Sequence, residues 1–301
     1  MSGELKGRVA LVTGGARGVG LAIAKALGEA GAGLVIADNG TGIGGEGADP
    51  EIARGAAKAL GNGAVAYVDS VASPASAAAA VDLARREFGG LDILVNNAAI
   101  LRDGFVFKYD PADWEAVIRN NLSAAFYASN AATSLLREQA KAKRGGGEYR
   151  WGRIVNIVST AGFYGNYGQA AYASAKAGLM GLTRVTALDM ARSNVTCNAI
   201  APFAHTRVTE TIQPANPAQA AYKERALRID AAPVGALVRR LCLPDADTIT
   251  GQLFGVRGRE LIVFSQSRPA GRTTRGDPAD LSQYFTKLET DLEAFNTEPV
   301  L

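Results

Sequence analysis

Short apolar segments recur along the chain and alternate with longer stretches of helical periodicity. The segments consist mainly of consecutive apolar residues, and strands of this kind are covered on both faces in parallel sheets. The segments are VALV (9–12), LVI (34–36), AVAYV (64–68), ILV (93–95), IVNIV (154–158), VTCNAI (195–200) and LFGV (253–256). The alternation predicts an α/β fold with a doubly wound parallel sheet of about seven strands and right-handed crossovers.

The stretches between these segments carry helix signals. Val19, Ile23 and Leu27 are four residues apart, so they line one face of a helix after the first strand. The Ser-Pro pair at 73–74 and the Asp-Pro pair at 110–111 each predict an N-cap followed by proline at the first helical position. Both pairs open long helical patterns.

Two segments stand outside this alternation. KAKRGGGEYRW (141–151) is basic, glycine-rich and aperiodic, which predicts a solvated loop. Further on, RELIVF (259–264) is suited to an additional strand, and residues 278–295 have helical periodicity. We predict one main domain over 1–257 and a C-terminal extension over 258–301, packed on that domain or on a neighbouring subunit.

Composition and charge favour a small-molecule partner. The 301 residues are 48% hydrophobic, enough for one large core, and the net charge of +3 arises from charges of both signs spread along the chain. Without a sustained basic stripe, we expect neither a nucleic acid nor a membrane as a partner.

The cysteines and the termini suggest a compartment. Cys197 and Cys242 lie among apolar residues and form no metal-binding or disulfide framework, which fits a reducing environment. No apolar run is long enough to span a membrane, the N-terminal segment lacks the apolar core of a signal peptide, and the terminal EPVL is not a peroxisomal signal. We expect a soluble cytoplasmic protein without a bound metal.

A glycine-rich turn follows the first predicted strand. Glycine permits a tight turn and close approach to a pyrophosphate, whose charge is stabilised by free N–H groups and the positive end of the following helix. A plain glycine-rich turn is the alternative, but the strand–turn–helix context favours a dinucleotide site in a Rossmann-type sheet. The candidate cofactor-binding residues of this turn, TGGARGVG (13–20), are Gly14, Arg17, Gly18, Val19 and Gly20.

Asp38 ends the second predicted strand, eighteen residues after Gly20. A carboxylate at this position accepts hydrogen bonds from the hydroxyls of an adenosine ribose and repels a 2′-phosphate. Arg17 favours NADP instead, because a cation in the turn can bind that phosphate. Unpaired like charges at close range are the more costly arrangement, so Asp38 predicts NAD rather than NADP. An exposed turn residue is the other interpretation of Asp38.

Tyr172 and Lys176 lie four residues apart in the run GQAAYASAK (168–176). If 172–191 is helical, both side chains point into one space. A lysine cation about 5 Å from a phenol, at an effective dielectric of about 20, contributes roughly 3 kcal/mol and lowers the pKa of the phenol by about 2. Tyr172 then becomes a proton acceptor for an alcohol or a donor to a ketone. The alternative is an amphipathic helix start with a surface lysine.

Five motifs occur in one order along the chain. They are TGGARGVG (13–20), NNAA (96–99), Ser159, YASAK (172–176) and NAIAP (198–202). Together they resemble the short-chain dehydrogenase/reductase family over about residues 6–256, with Ser159 thirteen residues before the tyrosine as the family pattern requires.

The resemblance implies a catalytic tetrad of Asn121, Ser159, Tyr172 and Lys176. In that family the serine holds and polarises the oxygen of the alcohol or ketone, and the tyrosine transfers the proton. The lysine favours the ionised phenol and binds the nicotinamide ribose, while the asparagine anchors a water relay behind it.

Further cofactor contacts follow from the same resemblance. Asp69 and Ser70 match the pair beside the adenine, and Asn97 matches the asparagine near the adenosine ribose. Pro202 and the backbone around His205 match the stretch that meets the carboxamide. His205 is the only histidine, but the tetrad already supplies acid and base, so we expect it to line the pocket or to offer a backbone contact.

Three positions depart from the family pattern, all of them on the nicotinamide side of the site rather than in the tetrad. Ala99 replaces the usual glycine of NNAG, where an extra methyl is expected to crowd the cofactor. Phe203 replaces the glycine usual after the NAIAP motif, and Thr206 comes one residue earlier than the usual loop hydroxyl.

A narrower resemblance concerns the substrate. Segments 98–103, 164–182, 200–209 and 251–256 are similar to the dehydrogenase part of the peroxisomal-type multifunctional enzymes of fatty-acid β-oxidation, which implies a (3R)-hydroxyacyl-CoA substrate. Some relatives act on 17β-hydroxysteroids. Apolar candidates that suit an acyl chain or a steroid equally are Phe163, Tyr164, Tyr167 and Phe203. Arginines suited to CoA phosphates, or simply to a solvated surface, are found at 257, 259, 268, 272 and 275.

Three functions stay open on the sequence. The leading one is an NAD-dependent oxidoreductase that interconverts a secondary alcohol and a ketone, with 3-hydroxyacyl-CoA as the best substrate candidate. The second is a hydroxysteroid or other alcohol dehydrogenase, and the third is a regulator that senses NAD without turning it over. The resemblance also implies a homodimer or homotetramer built on helices around 111–138 and 172–191.

Overall fold

One mostly parallel sheet forms the centre of the protein, for which the computed structural model describes residues 3–205, 207–210, 214 and 216–266. The strands are β1 Val9–Thr13, β2 Gly33–Ala37, β3 Val65–Tyr67, β4 Ile93–Asn96, β5 Arg153–Ile157, β6 Thr196–Phe203, β7 Leu253–Arg257 and β8 Glu260–Val263. Their order is β3-β2-β1-β4-β5-β6-β7-β8. β1 to β7 are parallel, and β8 pairs antiparallel with β7. This is the Rossmann-type arrangement that the apolar pattern predicts.

Helices cover both faces of the sheet. They are α1 Gly18–Glu29, α2 Pro50–Leu60, α3 Pro74–Phe88, α4 Pro111–Ile118, α5 Ala124–Lys141, α6 Ala161–Tyr164, α7 Ala170–Met190, α8 Arg207–Glu210, α9 Pro217–Ala226 and α10 Ala232–Leu241. The two predicted N-caps are confirmed. Ser73 Oγ accepts a hydrogen bond from Ser76 N at 3.2 Å, and the Asp110 carboxylate accepts one from Ala112 N at 2.8 Å.

The predicted end of the main domain falls inside the β7–β8 hairpin. All seven predicted strands are present, and the segment 259–264 contributes the eighth, so the sheet has one strand more than the pattern of parallel strands indicated. Beyond β8, Phe264 N donates to Leu253 O at 2.9 Å, which ties this segment to β7. The helical pattern over 278–295 lies outside the described residues.

Apolar helix faces build a core on each side of the sheet. Ile23 and Leu27 of α1 are fully buried and Val19 is nearly so, as their spacing predicts. A Cβ built at Gly235 in α10 would lie 2.5 Å from Ala22 O, so α1 and α10 pack with their backbones in contact. On the other face, buried alanines of α3 and α5 belong to one hydrophobic cluster.

The segment 141–151 is irregular, as predicted, but it is anchored rather than simply solvated. Tyr149 is 2% exposed and its hydroxyl donates to the fully buried Asp92 carboxylate at 2.9 Å. Arg144 Nη1 lies 2.7 Å from both carboxylate oxygens of Asp92. Burial and the adjacent Asp92 charge raise the pKa of Tyr149. A buried carboxylate requires such partners, and the basic loop supplies them.

The two cysteines are buried and do not pair with each other. Burial raises the pKa of both thiols, Cys197 and Cys242, to about 12, so each behaves as the small hydrophobe that its sequence context predicts. Within the part of the chain that the structure describes, no helix has the length and apolar character needed to cross a membrane.

Candidate active site

Three positions of the turn after β1 require glycine. Gly14 has φ of +60°, and a Cβ built there would lie 2.9 Å from Ala98 Cα. Gly18 has φ of +51°, and a Cβ at Gly20 would lie 2.1 Å from Gly14 O. No side chain caps the start of α1. This cradle fits the pyrophosphate of a dinucleotide, as the motif predicts.

Thr13 and Asn97 hold that turn against the end of β4. Thr13 Oγ1 accepts hydrogen bonds from Asn97 N at 3.0 Å and Ala98 N at 3.1 Å. Asn97 Nδ2 donates to Thr13 O at 3.0 Å and Gly14 O at 2.9 Å. Thr13 is a site residue beyond those that the sequence predicted. Its hydroxyl directly after the apolar run 9–12 is the sequence signal that points to it, and the structure buries it to 2% exposure.

Asp38 sits at the end of β2 beside the turn. Its nearly buried carboxylate accepts hydrogen bonds from Ala16 N at 3.3 Å and Gly40 N at 2.9 Å, and Arg17 Nη2 lies 3.2 Å away. Arg17 Nη2 also donates to Thr41 O at 2.9 Å. The Arg17 guanidinium, which the sequence left available for a phosphate, therefore lies against the carboxylate.

Tyr172 and Lys176 share one face of α7. The Lys176 ammonium lies 5.5 Å from the centroid of the Tyr172 ring, so the predicted helix and the predicted juxtaposition are both present. Lys176 is 2% exposed, and its Nζ donates to Ile157 O at 2.8 Å. Burial lowers the pKa of the Lys176 ammonium to about 8. The lysine is thus placed at the carboxyl end of β5, with its charge next to the phenol.

Ser159 follows the end of β5 at half-buried depth. Its Oγ accepts a hydrogen bond from Ala161 N at 3.2 Å, in the turn that opens α6. α6 is pressed onto α7, because a Cβ at Gly162 would lie 2.8 Å from Ala177 N. Ser159, in the turn that opens α6, and Lys176, on α7, are therefore positioned by two helices in direct contact.

Asn121 occupies a π-helical turn, Arg119–Ser123, that interrupts the predicted long helix between α4 and α5. Its side chain is 1% exposed and bonds both backbone groups of Ile100, accepting from N and donating to O, each at 2.8 Å. π turns often occur at functional sites. The residues alone did not show this turn, since the helical period continues on both sides of it.

The four other candidate cofactor contacts are exposed or half-buried. Asp69 and Ser70 are exposed after β3, and Ser70 Oγ accepts from Ala72 N at 3.2 Å. Pro202 lies in β6 and is half-buried. His205 N donates to Ile229 O at 2.8 Å and its exposed ring meets Glu210 at 2.9 Å. A carboxamide contact in this stretch would therefore use another backbone group.

The residues that depart from the family pattern and the apolar substrate candidates differ in their exposure and contacts. Ala99 is exposed, so its methyl does not crowd the protein itself, and Thr206 lies outside the described residues. Phe163 stacks on Phe264 with ring centroids 4.6 Å apart, so it serves core packing. Tyr167 is 80% exposed.

The remaining substrate candidates also differ in their burial and contacts. Tyr164 and Phe203 are half-buried. Arg257 is nearly buried and its Nε lies 2.6 Å from the Glu260 carboxylate, so this guanidinium is held within the sheet. Arg259 is exposed. The arginines at 268, 272 and 275 are outside the described residues.

Parallel strands thus bring the glycine turn, Asp38, Ser159, Tyr172 and Lys176 to one edge of the sheet. The donor set fits a nicotinamide dinucleotide: a cradle that a Cβ would fill, a carboxylate beside it for ribose hydroxyls, and a lysine beside a phenol. The same edge carries no cluster of metal ligands among the described residues.

Comparison with known proteins agrees with this geometry. A family model described as short chain dehydrogenase matches residues 8–219. The chain is 37% identical to the hydroxyacyl-CoA dehydrogenase ChsB1 of Mycobacterium tuberculosis over 93% of its length and 87% of that protein. It is 36% identical to the 3-oxoacyl-[acyl-carrier-protein] reductase FabG of Vibrio cholerae, over 85% of its length and 98% of that protein.

A longer relative and a solved structure extend the comparison. The chain is 38% identical to the peroxisomal multifunctional enzyme type 2 of Mus musculus, over 69% of its length but 27% of that protein. A short chain dehydrogenase from Mycobacterium avium superposes with a TM-score of 0.76 at 33% identity, covering 93% of both chains. The family model, the fold and the residues at the sheet edge agree, and the chain belongs to the short-chain dehydrogenase family of oxidoreductases.

Proposed function

We propose that this protein is an NAD-dependent oxidoreductase that interconverts a secondary alcohol and a ketone, with a 3-hydroxyacyl-CoA as its substrate. The observation that carries the proposal is the Lys176 ammonium 5.5 Å from the Tyr172 ring, at the same sheet edge as the glycine cradle. A regulator that only senses the dinucleotide requires the cradle but has no use for this pair.

Each of the four tetrad side chains has its own role. Ser159 holds the substrate oxygen, and Tyr172 takes the hydroxyl proton during oxidation or returns it during reduction. Lys176 stabilises negative charge on the phenol, because its ammonium is close and shielded from water. Asn121 fixes the chain at Ile100 and thereby the position of the π turn. NAD, when bound, supplies the hydride acceptor.

The surroundings of Asp38 support NAD over NADP. The carboxylate stands at the end of β2, where the hydroxyls of an adenosine ribose are bound in this type of fold. Arg17, the cation inside the turn, is already engaged with Asp38 at 3.2 Å and with Thr41 O at 2.9 Å. A 2′-phosphate would have to displace this pair and then face the carboxylate.

The substrate proposal draws on relatives. ChsB1 is named as a hydroxyacyl-CoA dehydrogenase and FabG as a 3-oxoacyl-[acyl-carrier-protein] reductase, so both names describe an acyl thioester with a hydroxyl or a keto group. Hydroxysteroids are the second candidate class. The exposed Tyr167, at 80%, and the half-buried Tyr164 are apolar surface suited to either an acyl chain or a steroid.

We also propose that the protein is a homodimer or homotetramer. Phe126 of α5 is 49% exposed, and Val185 and Leu188 of α7 are 54% and 77% exposed. Apolar side chains of this size on two long helices are typical of interfaces between subunits. Light scattering of the wild type and of Leu188→Glu tests this, with dissociation of the variant as the expected result.

A dehydrogenation screen tests the activity. Reduced nicotinamide absorbance is followed with 3-hydroxyacyl-CoA, hydroxysteroids and simple secondary alcohols, each with NAD and with NADP. We expect 3-hydroxyacyl-CoA with NAD to give the highest kcat/KM. Preference for a steroid or for NADP would replace that part of the proposal.

A matched pair of variants tests the catalytic assignment. Tyr172→Phe removes only the hydroxyl and should lower kcat by at least about a hundredfold, the usual contribution of general acid–base catalysis. Tyr127→Phe makes the same change on α5, where the ring packs in the core, and should retain turnover. Full turnover by Tyr172→Phe would remove Tyr172 from the mechanism.

A further inference from the structure

The loop between β2 and α2, residues 39–49, is a closed unit rather than an open connection. Asp49 N donates to Asn39 O at 3.1 Å, which joins its two ends. Gly40 has φ of +74°, and a Cβ there would lie 2.1 Å from Asp49 O, so this closure requires glycine. Inside the loop, Gly42 N donates to Glu46 O at 2.8 Å. Compact loops with joined ends are frequently functional.

Strand order dictates where this loop runs. The loop leaves the carboxyl end of β2 and contacts the segment that follows β4, and β1 lies between these two strands in the sheet. It must therefore cross the carboxyl end of β1, in front of the glycine turn 14–20. Residues 39–45 are half-buried, although they belong to a loop.

Hydrogen bonds fix the loop on both sides of the crossing. On the β1 side, Arg17 Nη2 donates to Thr41 O at 2.9 Å. On the β4 side, Leu101 N donates to Ile43 O at 2.8 Å. A Cβ at Gly45 would lie 3.2 Å from the Ile100 side chain, so glycine allows the loop to rest on that residue.

Arg102 makes the one side-chain clamp described on the β4 side. Its Nε donates to Gly44 O at 2.7 Å, and its Nη1 donates to the Asp113 carboxylate on α4 at 2.7 Å. The ion pair is partly exposed, so it contributes little stability of its own. The hydrogen bond from Nε to Gly44 O holds the loop, and the planar guanidinium makes both contacts at once. Lysine, with a single ammonium, cannot reproduce both contacts in that fixed plane.

The residues that hold the loop also meet the tetrad. The backbone N–H and C=O of Ile100 both bond to the side chain of Asn121, and Arg102 follows two residues later. The loop, the segment after β4 and the π turn are thus one connected set of contacts. Arg102 is therefore connected to the cofactor cleft through the loop and to the tetrad through Ile100 and Asn121.

We propose that Arg102 is a positioning residue, which holds the 39–49 loop across the dinucleotide cleft so that the loop retains the adenosine half of the cofactor. The loop begins directly after Asp38, and its glycine backbone can approach a ribose closely. The proposal rests on the proposed function only in requiring a nicotinamide dinucleotide. It does not depend on the substrate.

The test compares Arg102→Ala with Asp113→Ala as a matched control. The dissociation constants of NAD and NADP are measured by calorimetry without substrate, and kcat is measured at saturating cofactor. We expect Arg102→Ala to bind its cofactor about tenfold more weakly, the equivalent of one charge-assisted hydrogen bond, with kcat changed by less than about twofold. Asp113→Ala keeps the bond to Gly44 and should bind within about twofold of the wild type, and Arg102→Lys should fall between the two alanine variants.

Hydrogen exchange of the cofactor-free protein gives a second readout. The amides of Gly42 and Gly45 should exchange faster in Arg102→Ala and at the wild-type rate in Asp113→Ala. Wild-type cofactor affinity in Arg102→Ala, an equal loss in Asp113→Ala, or a fall in kcat without a change in affinity would each overturn the proposal. A wild type that binds only NADP would refute the NAD assignment, while the same comparison with NADP would still decide the role of Arg102.

Discussion

Replacing Lys176 by methionine removes a buried charge, and the resulting change in stability should depend on pH. Lys176 is 2% exposed, and burial lowers the pKa of its ammonium from the usual 10.5 to about 8. The unfolded chain, where the lysine is in water, holds this proton more tightly than the folded protein does. Folding with a charged Lys176 therefore carries a cost that a neutral methionine lacks.

The two pKa values set the size and the pH window of this cost. Their difference of about 2.5 corresponds to roughly 3 kcal/mol of unfolding free energy. Stability rises with pH wherever the unfolded state binds more protons, so the cost is fully present below about pH 8 and is lost as the pH approaches 10.5. Between pH 7 and pH 9.5 the wild type should gain about 2 kcal/mol relative to Lys176→Met.

Urea unfolding followed by circular dichroism at several pH values measures this difference. Protein concentration is kept constant, because association of subunits would also contribute to stability. Lys25→Met is the control, since Lys25 is exposed on α1 and the variant has the same change in charge. Its difference from the wild type should not vary across the window. If the Lys176→Met and wild-type curves stayed parallel from pH 7 to pH 9.5, the argument from burial would be wrong.

Three further predictions concern Gly20, Asn121 and Asp38, with Gly55 as the control for the first. Gly20→Ala places a methyl 2.1 Å from a backbone oxygen of the turn and should abolish dinucleotide binding in a calorimetric titration, whereas Gly55→Ala, on an open helix face, should raise unfolding free energy by about 0.5–1 kcal/mol. Asn121→Ala leaves two buried backbone groups of Ile100 without their partner and should cost about 2–4 kcal/mol in urea unfolding; a loss below about 1 kcal/mol would contradict this. Asp38→Ala removes a carboxylate that repels a 2′-phosphate, so the ratio of kcat/KM for NADP to that for NAD should rise at least about tenfold, and an unchanged ratio would remove Asp38 as the selector.

Local patterns in the chain were enough to define the elements and the chemistry at their ends. Apolar runs marked the seven parallel strands, and Ser73 and Asp110 marked two helix starts. The spacing of Tyr172 and Lys176 placed both on one helix face. These features depend on neighbours within a few positions, where backbone geometry alone decides which side chains share a face.

Long-range pairing belongs to the tertiary structure. Tyr149 reaches Asp92 across 57 positions, and Asn97 N reaches Thr13 across 84, so neither contact leaves a local signal. The crossing of the 39–49 loop in front of the glycine turn follows only once β1 is known to lie between β2 and β4. Strand order results from the packing of all helices and strands at once. The physical reason is that the free energy favouring this strand order is spread over contacts between distant parts of the chain, so no short stretch of residues determines it.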